Sequence, residues 1–249
     1  PIATQLDHPH GIATDSAGRI FFTEVPTPGI PGTMGGRNRV ISLDAASGLM
    51  TTLTSGEPEP VNLAYAANGD LYWTCRSAGV VLRQSAGVVA PFLTMLNSPT
   101  GITAMADGRV ALTFVPTPGV PGTMGGMNSV GVVTQGVLST LNMGEPEPAD
   151  IAASPAGDLY WTCRTAGVIL RRDGQSGAIA PVLRGLERPT GLAADGLGNL
   201  YFTEVPTPGV PGSMGGRNRI WKFAPMTQDL TLISMGEPEP TDVAVSMDG

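Results

Sequence analysis

Apolar residues in this chain come in short runs broken by turn residues, with no helical period of three to four. Ile20-Phe21-Phe22, Val40-Ile41, Leu71-Tyr72-Trp73 and Leu200-Tyr201-Phe202 are aromatic and β-branched, and Gly, Asn, Asp or Pro lies close to each. The pattern predicts strands at 11–15, 19–24, 39–43 and 50–53, with turns at 16–18 and 45–48. The Pro/Gly stretch 26–36 suits neither a helix nor a central strand and is read as a loop. From Gly56 the plan repeats, with strands at 62–65, 71–75 and 80–83, but only 76–79 joins the second strand to the third.

The whole arrangement recurs. Glu24 to Arg39 returns as 114–129 and as 204–219, a period of 90 residues. Gly-Glu-Pro-Glu-Pro begins at Gly56, Gly144 and Gly236, and Leu-Tyr-Trp-Thr-Cys-Arg begins at Leu71 and Leu159. Four short strands in about 45 residues is the arithmetic of a propeller blade. The expected fold is therefore an all-β, six-bladed β-propeller made of three two-blade repeats. It forms a single domain over 1–249, with blades starting near 9, 56, 99, 144, 189 and 236. The sixth blade stops after its first strand, at Asp248-Gly249. Residues 1–6 align with 91–96 and 181–186, so the N-terminal strand is expected to close the ring, and 1–8 to complete that blade. An open ring leaves bare edges, which leads to the expectation of roughly twenty further residues after Gly249. An intact mass of 25.6 kDa would argue against them.

Composition narrows the partners. Gly (34) and Pro (23) are abundant, as many turns require. The net charge of −7 argues against nucleic acid. No apolar run approaches a membrane span, and a monomer is expected. No leader is visible at Pro1. Cys75 and Cys163 occupy equivalent positions one repeat apart, so both are expected free, buried and structural. The adjacent Arg76 and Arg164 could lower a thiol pKa, but no histidine recurs beside them. The cysteines leave the compartment open, with a lean toward secretion.

Leu-Tyr-Trp-Thr-Cys is similar to the YWTD blade motif, with Cys75 and Cys163 where that motif has Asp. Pro189 to Glu204, with Pro-Thr-Gly-Leu-Ala, Gly-Asn-Leu and Tyr-Phe-Thr-Glu, resembles the NHL repeat and departs from it at the Pro/Gly insert that follows. It also resembles the blades of SMP-30/gluconolactonase-like and virginiamycin B lyase-like propellers. The resemblance covers essentially the whole chain and is specific for the propeller rather than for one family. Likeness to the SMP-30-like proteins implies Glu, Asn and Asp side chains holding a divalent metal at the channel mouth, and an acidic group serving as base for lactone opening.

One face should gather the Pro/Gly loops, the Gly-Glu-Pro-Glu-Pro loops and the ends of the second strands. Asn62, Asp150 and Asp242 fall at the channel ends of three inner strands, with Glu59, Glu147 and Glu239 near them as weaker ligands. Oxygen donors in a ring suit Ca²⁺ or another divalent cation; alternatively, they cap loop amides. His10, Glu24 and Glu204 are the catalytic candidates. His10 stands where two other copies have Thr100 and Thr190. Met34, Met124, Met214, Arg37, Arg217 and Phe114 are candidates for ligand binding in and beside the Pro/Gly loops. The second copy has Met127 for the arginine and Phe114 for the glutamate, which suggests Arg37–Glu24 and Arg217–Glu204 pairs. Trp73 and Trp161 read as packing between blades. Two functions remain: a propeller binding a small molecule, glycan or protein, with or without a metal, and a metal-dependent lactonase, hydrolase or lyase.

Overall fold

The computed structural model describes residues 2, 3, 6, 8–25, 38–116, 128–206, 218–236 and 239–246. Among them there is no helix. Five four-stranded antiparallel sheets follow one another as blades. Blade 1 is β1 (Pro9–Thr14), β2 (Arg19–Glu24), β3 (Arg39–Asp44) and β4 (Met50–Ser55). Blade 2 is β5 (Pro60–Tyr65), β6 (Leu71–Cys75), β7 (Val80–Ser85) and β8 (Val88–Leu93). Blade 3 is β9 (Pro99–Ala104), β10 (Val110–Phe114), β11 (Ser129–Thr134) and β12 (Val137–Met143). Blade 4 is β13 (Pro148–Ala153), β14 (Leu159–Cys163), β15 (Val168–Arg172) and β16 (Ile179–Arg184). Blade 5 is β17 (Pro189–Ala194), β18 (Leu200–Glu204), β19 (Arg219–Ala224) and β20 (Asp229–Met235).

Alternation along the second strands glues the blades together, because successive side chains point to opposite faces. Trp73 packs with Phe21 and Val40 of blade 1, while its neighbour Tyr72 packs with Ile102 and Leu112 of blade 3. Trp161 and Tyr160 repeat this arrangement between blades 3 and 5. Both tryptophans are fully buried, as expected for packing residues. Each fully buried leucine beside them, Leu71 and Leu159, contributes about 2 kcal/mol. Cys75 and Cys163 are free and buried in the same clusters.

Each inner strand carries a bulge, at which two inner residues face one on the second strand, as His10 and Gly11 face Thr23. The facing residue is always a fully buried threonine: Thr23, Thr74, Thr113, Thr162 or Thr203. Its hydroxyl accepts the amide freed by the bulge, as in Gly101 N to Thr113 Oγ1 at 2.8 Å and Asp150 N to Thr162 Oγ1 at 3.1 Å. Thr74 and Thr162 also donate to the next blade, to the carbonyls of Thr100 and Thr190. One repeated hydroxyl thus fixes both the bulge and the spacing of neighbouring inner strands.

Six segments line the channel: the five inner strands and residues 242–245. Asp242 occupies the sixth place around the axis, bonded to blade 1 through Ile12 N and packed against Gly191 of blade 5. The repeat pattern calls for six blades, but five are formed among the described residues. Residues 239–246 take the sixth inner place without entering a strand ladder. Among the described residues of the N-terminus, 2, 3, 6 and 8, no closing strand is seen. Ala3 and Leu6 instead lie against Phe22, Ile41 and Leu43 of blade 1. A lone inner segment gives a closing strand nothing adjacent to pair with, since two strands would have to stand between them.

Candidate functional site

The three even-numbered places around the axis present Asn62, Asp150 and Asp242 to the channel, and the three odd ones present Gly11, Gly101 and Gly191. A Cβ on those glycines would stand 2.6, 2.7 and 2.5 Å from the Cα atoms of Asn62, Asp150 and Asp242 respectively. Only glycine permits this approach, and it brings the polar side chains together on the axis.

There they satisfy one another. Asn62 Nδ2 donates to Asp150 Oδ1 at 2.8 Å, and Asn62 Oδ1 accepts from Leu63 N at 2.6 Å. Asp150 also accepts from Ile151 N at 2.8 Å and Leu192 N at 2.7 Å. Asp242 accepts from Val243 N at 2.8 Å and Ile12 N at 2.9 Å. Burial, and after it the neighbouring Asp150, holds the Asp242 carboxyl well above the usual carboxylate range. Burial likewise raises Asp150, against the lowering effect of its amide donors. Burial and mutual repulsion thus both favour the protonated form of this coupled pair.

This arrangement does not fit a cation. The Asn62 amide donates to Asp150, and the carboxylate oxygens accept backbone amides, whereas Ca²⁺ needs six to eight free oxygens. Among the described residues no group of three or more His, Cys, Asp and Glu could hold a metal.

The trio forms a floor between two cavities. On one side the channel opens to about 190 Å³ lined by alanines and branched apolar residues, with Thr14, Tyr65 and Thr103. On the other, the loop-rich face, lies a funnel of about 80 Å³ walled by His10, Arg76, Arg164, Glu147, Thr100, Thr190 and Thr241. Arg164 pairs with Glu147 at 3.2 Å, and burial lowers its pKa. Arg76 has no ion-pair or side-chain hydrogen-bond partner among the described residues. His10 as a whole is exposed to solvent. Its pKa is nevertheless lowered, by desolvation first and by Arg164 and Arg76 next, so it is neutral near pH 7.

The funnel's rim repeats sixfold. The residue before each leading proline, namely His8, Glu59, Ser98, Glu147, Arg188 and Glu239, has a positive φ between 42° and 53°. That conformation is costly for a non-glycine residue. Where the next strand follows, its carbonyl accepts from the residue just after a second strand, as Arg164 N to Glu147 O at 3.0 Å and Arg76 N to Glu59 O at 3.1 Å. Those two bonds fix the start of both arginines over the channel.

Of the residues expected from the sequence, His10, Asn62, Asp150, Asp242 and Glu147 come together at the funnel. Glu59 and Glu239 stand on its rim. Glu24 and Glu204 do not reach it. They are buried against Arg39, which donates from Nε at 2.9 Å, and Arg219, at 3.1 Å. Trp221 Nε1 adds a bond to Glu204 at 2.7 Å. The described Arg–Glu pairs therefore run through Arg39 and Arg219, directly opposite in the strand register, and Ser129 is their counterpart beside Phe114. Phe114 is buried in the core between blades 2 and 3. Met34, Arg37, Met124, Met214 and Arg217 lie outside the described residues. Arg76 and Arg164 act at the funnel rather than on the thiols. Burial first, and Glu57 next, pushes Cys75 up to about 12; Cys163, which faces Glu145 at 3.6 Å, is also raised. A signal for this was present in the sequence, since a residue following a buried cysteine on a strand turns to the other side.

Solved structures share this fold. They include virginiamycin B lyase from Staphylococcus aureus, 18% identical over 95% of this chain and 73% of that one, with a TM-score of 0.63. A gluconolactonase from Xanthomonas campestris is 18% identical over 96% of this chain and 79% of that one, with a TM-score of 0.71. Regucalcin, a calcium-binding protein from Agrobacterium tumefaciens, is 14% identical over 97% and 79%, with a TM-score of 0.71. The chain is a β-propeller. No protein-family model matches it, and no curated protein does. Identities this low carry the fold and leave the activity to the site.

Proposed function

We propose that this propeller is a binding protein that takes the anionic head group of a small molecule into the loop-face funnel. The carrying observation is Arg76, which has no described ion-pair partner and converges with Arg164 and neutral His10 in a chain of net charge −7. A guanidinium without an ion-pair partner in a concave site, beside a second one paired to Glu147, favours carboxylate or phosphate oxygens. The raised carboxyl of Asp242 lessens the negative charge of the floor beneath them. About 80 Å³ suits a head group, with the remainder of the ligand lying across the rim. Titration calorimetry against simple carboxylates, sugar acids and inorganic phosphate tests this. Saturable binding should fall by roughly tenfold or more in Arg76→Ala and again in Arg164→Ala. Failure of the whole series to bind, or binding indifferent to both changes, would sink the reading.

A second reading, lactone or ester opening or lyase chemistry, draws on one specific observation. His10 is held neutral beside two arginines, as a general base facing an anionic intermediate requires. The virginiamycin B lyase and gluconolactonase neighbours support it by fold alone. A lactone, ester and lyase substrate screen, run with and without added divalent ions, should then show turnover that His10→Thr abolishes.

A further inference from the structure

The funnel gathers more positive charge than it neutralises. Arg76 follows β6 of blade 2, Arg164 follows β14 of blade 4, and Arg188 stands on the rim just before β17 of blade 5. The Arg188 carbonyl accepts from Thr190 Oγ1 at 3.0 Å and from Val205 N at 3.3 Å, and Thr190 is itself a wall residue of the funnel. Those two bonds pin the start of the Arg188 side chain at the funnel's edge. Charge reports the same proximity: burial lowers the Arg164 pKa, Glu147 opposes this, and Arg188 and then Arg76 lower it further. Against the three guanidiniums, the described funnel wall above the axial trio carries one carboxylate, Glu147, and it is paired with Arg164. Arg76 and Arg188 have no ion-pair partner among the described residues. Glu187, the chain neighbour of Arg188, lies 3.7 Å from Arg219 instead.

We propose, resting on the anionic head-group reading above, that the funnel takes a doubly charged tetrahedral oxyanion, the phosphoryl group of a phosphate monoester, in preference to a carboxylate. Arg188 is then a specificity-determining residue. The first argument is charge. Three guanidiniums against one carboxylate leave a surplus of two positive charges. A phosphate monoester carries a charge of about −1.5 to −2 near pH 7, where a carboxylate carries a single one. Like charges crowded into a concave site repel one another, and a dianion relieves that repulsion more fully than a monoanion. The second argument is direction. The guanidiniums come from blades 2 and 4 and from the rim of blade 5, so they stand around the axis rather than on one side of it. A carboxylate presents two oxygens in one plane, which a single guanidinium fork satisfies, whereas a phosphoryl group presents three in different directions.

Titration calorimetry of the whole chain at about pH 7.5, where the ester is a dianion, tests this with three probes. Glycerol 3-phosphate carries the phosphoryl group, glycerate carries a carboxylate on a similar polyol body, and malonate carries two charges on planar groups. Glycerol 3-phosphate should bind at least roughly tenfold more tightly than either of the others. Arg188→Gln should cost glycerol 3-phosphate roughly tenfold and glycerate only about threefold, because a lost Coulomb attraction scales with the charge of the ligand. Arg188→Lys keeps the charge without the planar fork and should fall between the parent and Arg188→Gln; thermal melts check that both variants stay folded. Inorganic phosphate binding more tightly than the ester would assign the site to the free ion and uphold the tetrahedral dianion. Glycerate or malonate binding as tightly as glycerol 3-phosphate, or an equal loss for both ligands in Arg188→Gln, would overturn the proposal and leave a carboxylate site standing. Failure of every probe to bind would instead sink the head-group reading on which it rests.

Discussion

Blades 1 and 5 end their second strands on a buried carboxylate, and blade 3 ends its own on a buried ring. The three corners are repeats of one another, so the differences can be read together. Glu24 and Glu204 face Arg39 and Arg219 across the ladder, with the bulky Ile41 and Trp221 two residues further along. Phe114 faces Ser129, and the residue two further along is Gly131, whose added Cβ would meet the Phe114 ring at 3.4 Å and Leu138 Cδ1 at 2.8 Å. The ring occupies room that the glycine leaves. A buried ion pair and an apolar plug are interchangeable only as complete sets, because half of either leaves an unpaired charge or a steric clash.

Phe114→Glu alone should be the most damaging change, costing about 4 kcal/mol by stranding a carboxylate at a buried position. Phe114→Glu with Ser129→Arg and Gly131→Ile, which recreates the blade 1 corner, should recover to within about 1 kcal/mol of the parent. Urea melts of the two variants decide the matter. A triple variant no more stable than the single would mean that the corners differ for some reason other than their own packing.

What the odd blades do not vary is the glycine on the channel. Gly101→Ala would place its Cβ 2.7 Å from Asp150 Cα, 2.8 Å from Asp150 Oδ1 and 2.9 Å from Thr113 Oγ1. Backbone cannot step aside as a side chain can, so a loss of about 3 kcal/mol is expected in a denaturant melt. Gly191→Ala should cost less, because Asp242 sits on a segment outside any ladder and can shift. Equal losses would show that 239–246 is held as firmly as a full blade.

Much of this was legible in the residues. The blade plan, the strand positions and the channel places of Asn62, Asp150 and Asp242 follow from period and alternation. His10 stood out as the one departure from Thr100 and Thr190. The expected partners Arg37 and Arg217 lie outside the described residues, and the described pairs of Glu24 and Glu204 are with Arg39 and Arg219. A co-varying loss at Arg37 and Met127 resembles the loss at Arg39 and Ser129, and only the antiparallel register distinguishes them. Arg76 and Arg164 were noted only as neighbours of the thiols, because adjacency in sequence does not show which side of the strand a side chain takes. The mutual satisfaction of the axial trio could not be read at all. Three side chains 88 or more residues apart become hydrogen-bond partners only because glycine lets the inner strands close in.

The smallest effect concerns that trio and separates its members. Asn62 shows how an amide serves at an even place, with its oxygen accepting an amide and its nitrogen donating to Asp150. Asp242 can donate only while it holds a proton. Burial raises both aspartates, so between the usual carboxylate range and their folded values the native state binds more protons than the unfolded chain. The contribution of Asp150 is complete below about pH 4 and is lost as pH rises through about 6, and that of Asp242 is lost as pH rises through its own raised value. His10 has the opposite sign. Its pKa is depressed, so its contribution disappears as pH falls below the ordinary value of 6.5. The two slopes overlap, and His10→Thr, the residue two other copies carry, removes the second. In that background the folding free energy should fall by about 2 kcal/mol between roughly pH 4 and pH 7. Asp242→Asn should remove at least half of that slope, because an amide donates to Asp150 without titrating. It should also carry a pH-independent cost of about 1 kcal/mol for the acceptor that Ile12 N loses. Parallel slopes in the two proteins would mean that no proton is shared on the axis, and that both carboxylates are held there as anions by the amides alone.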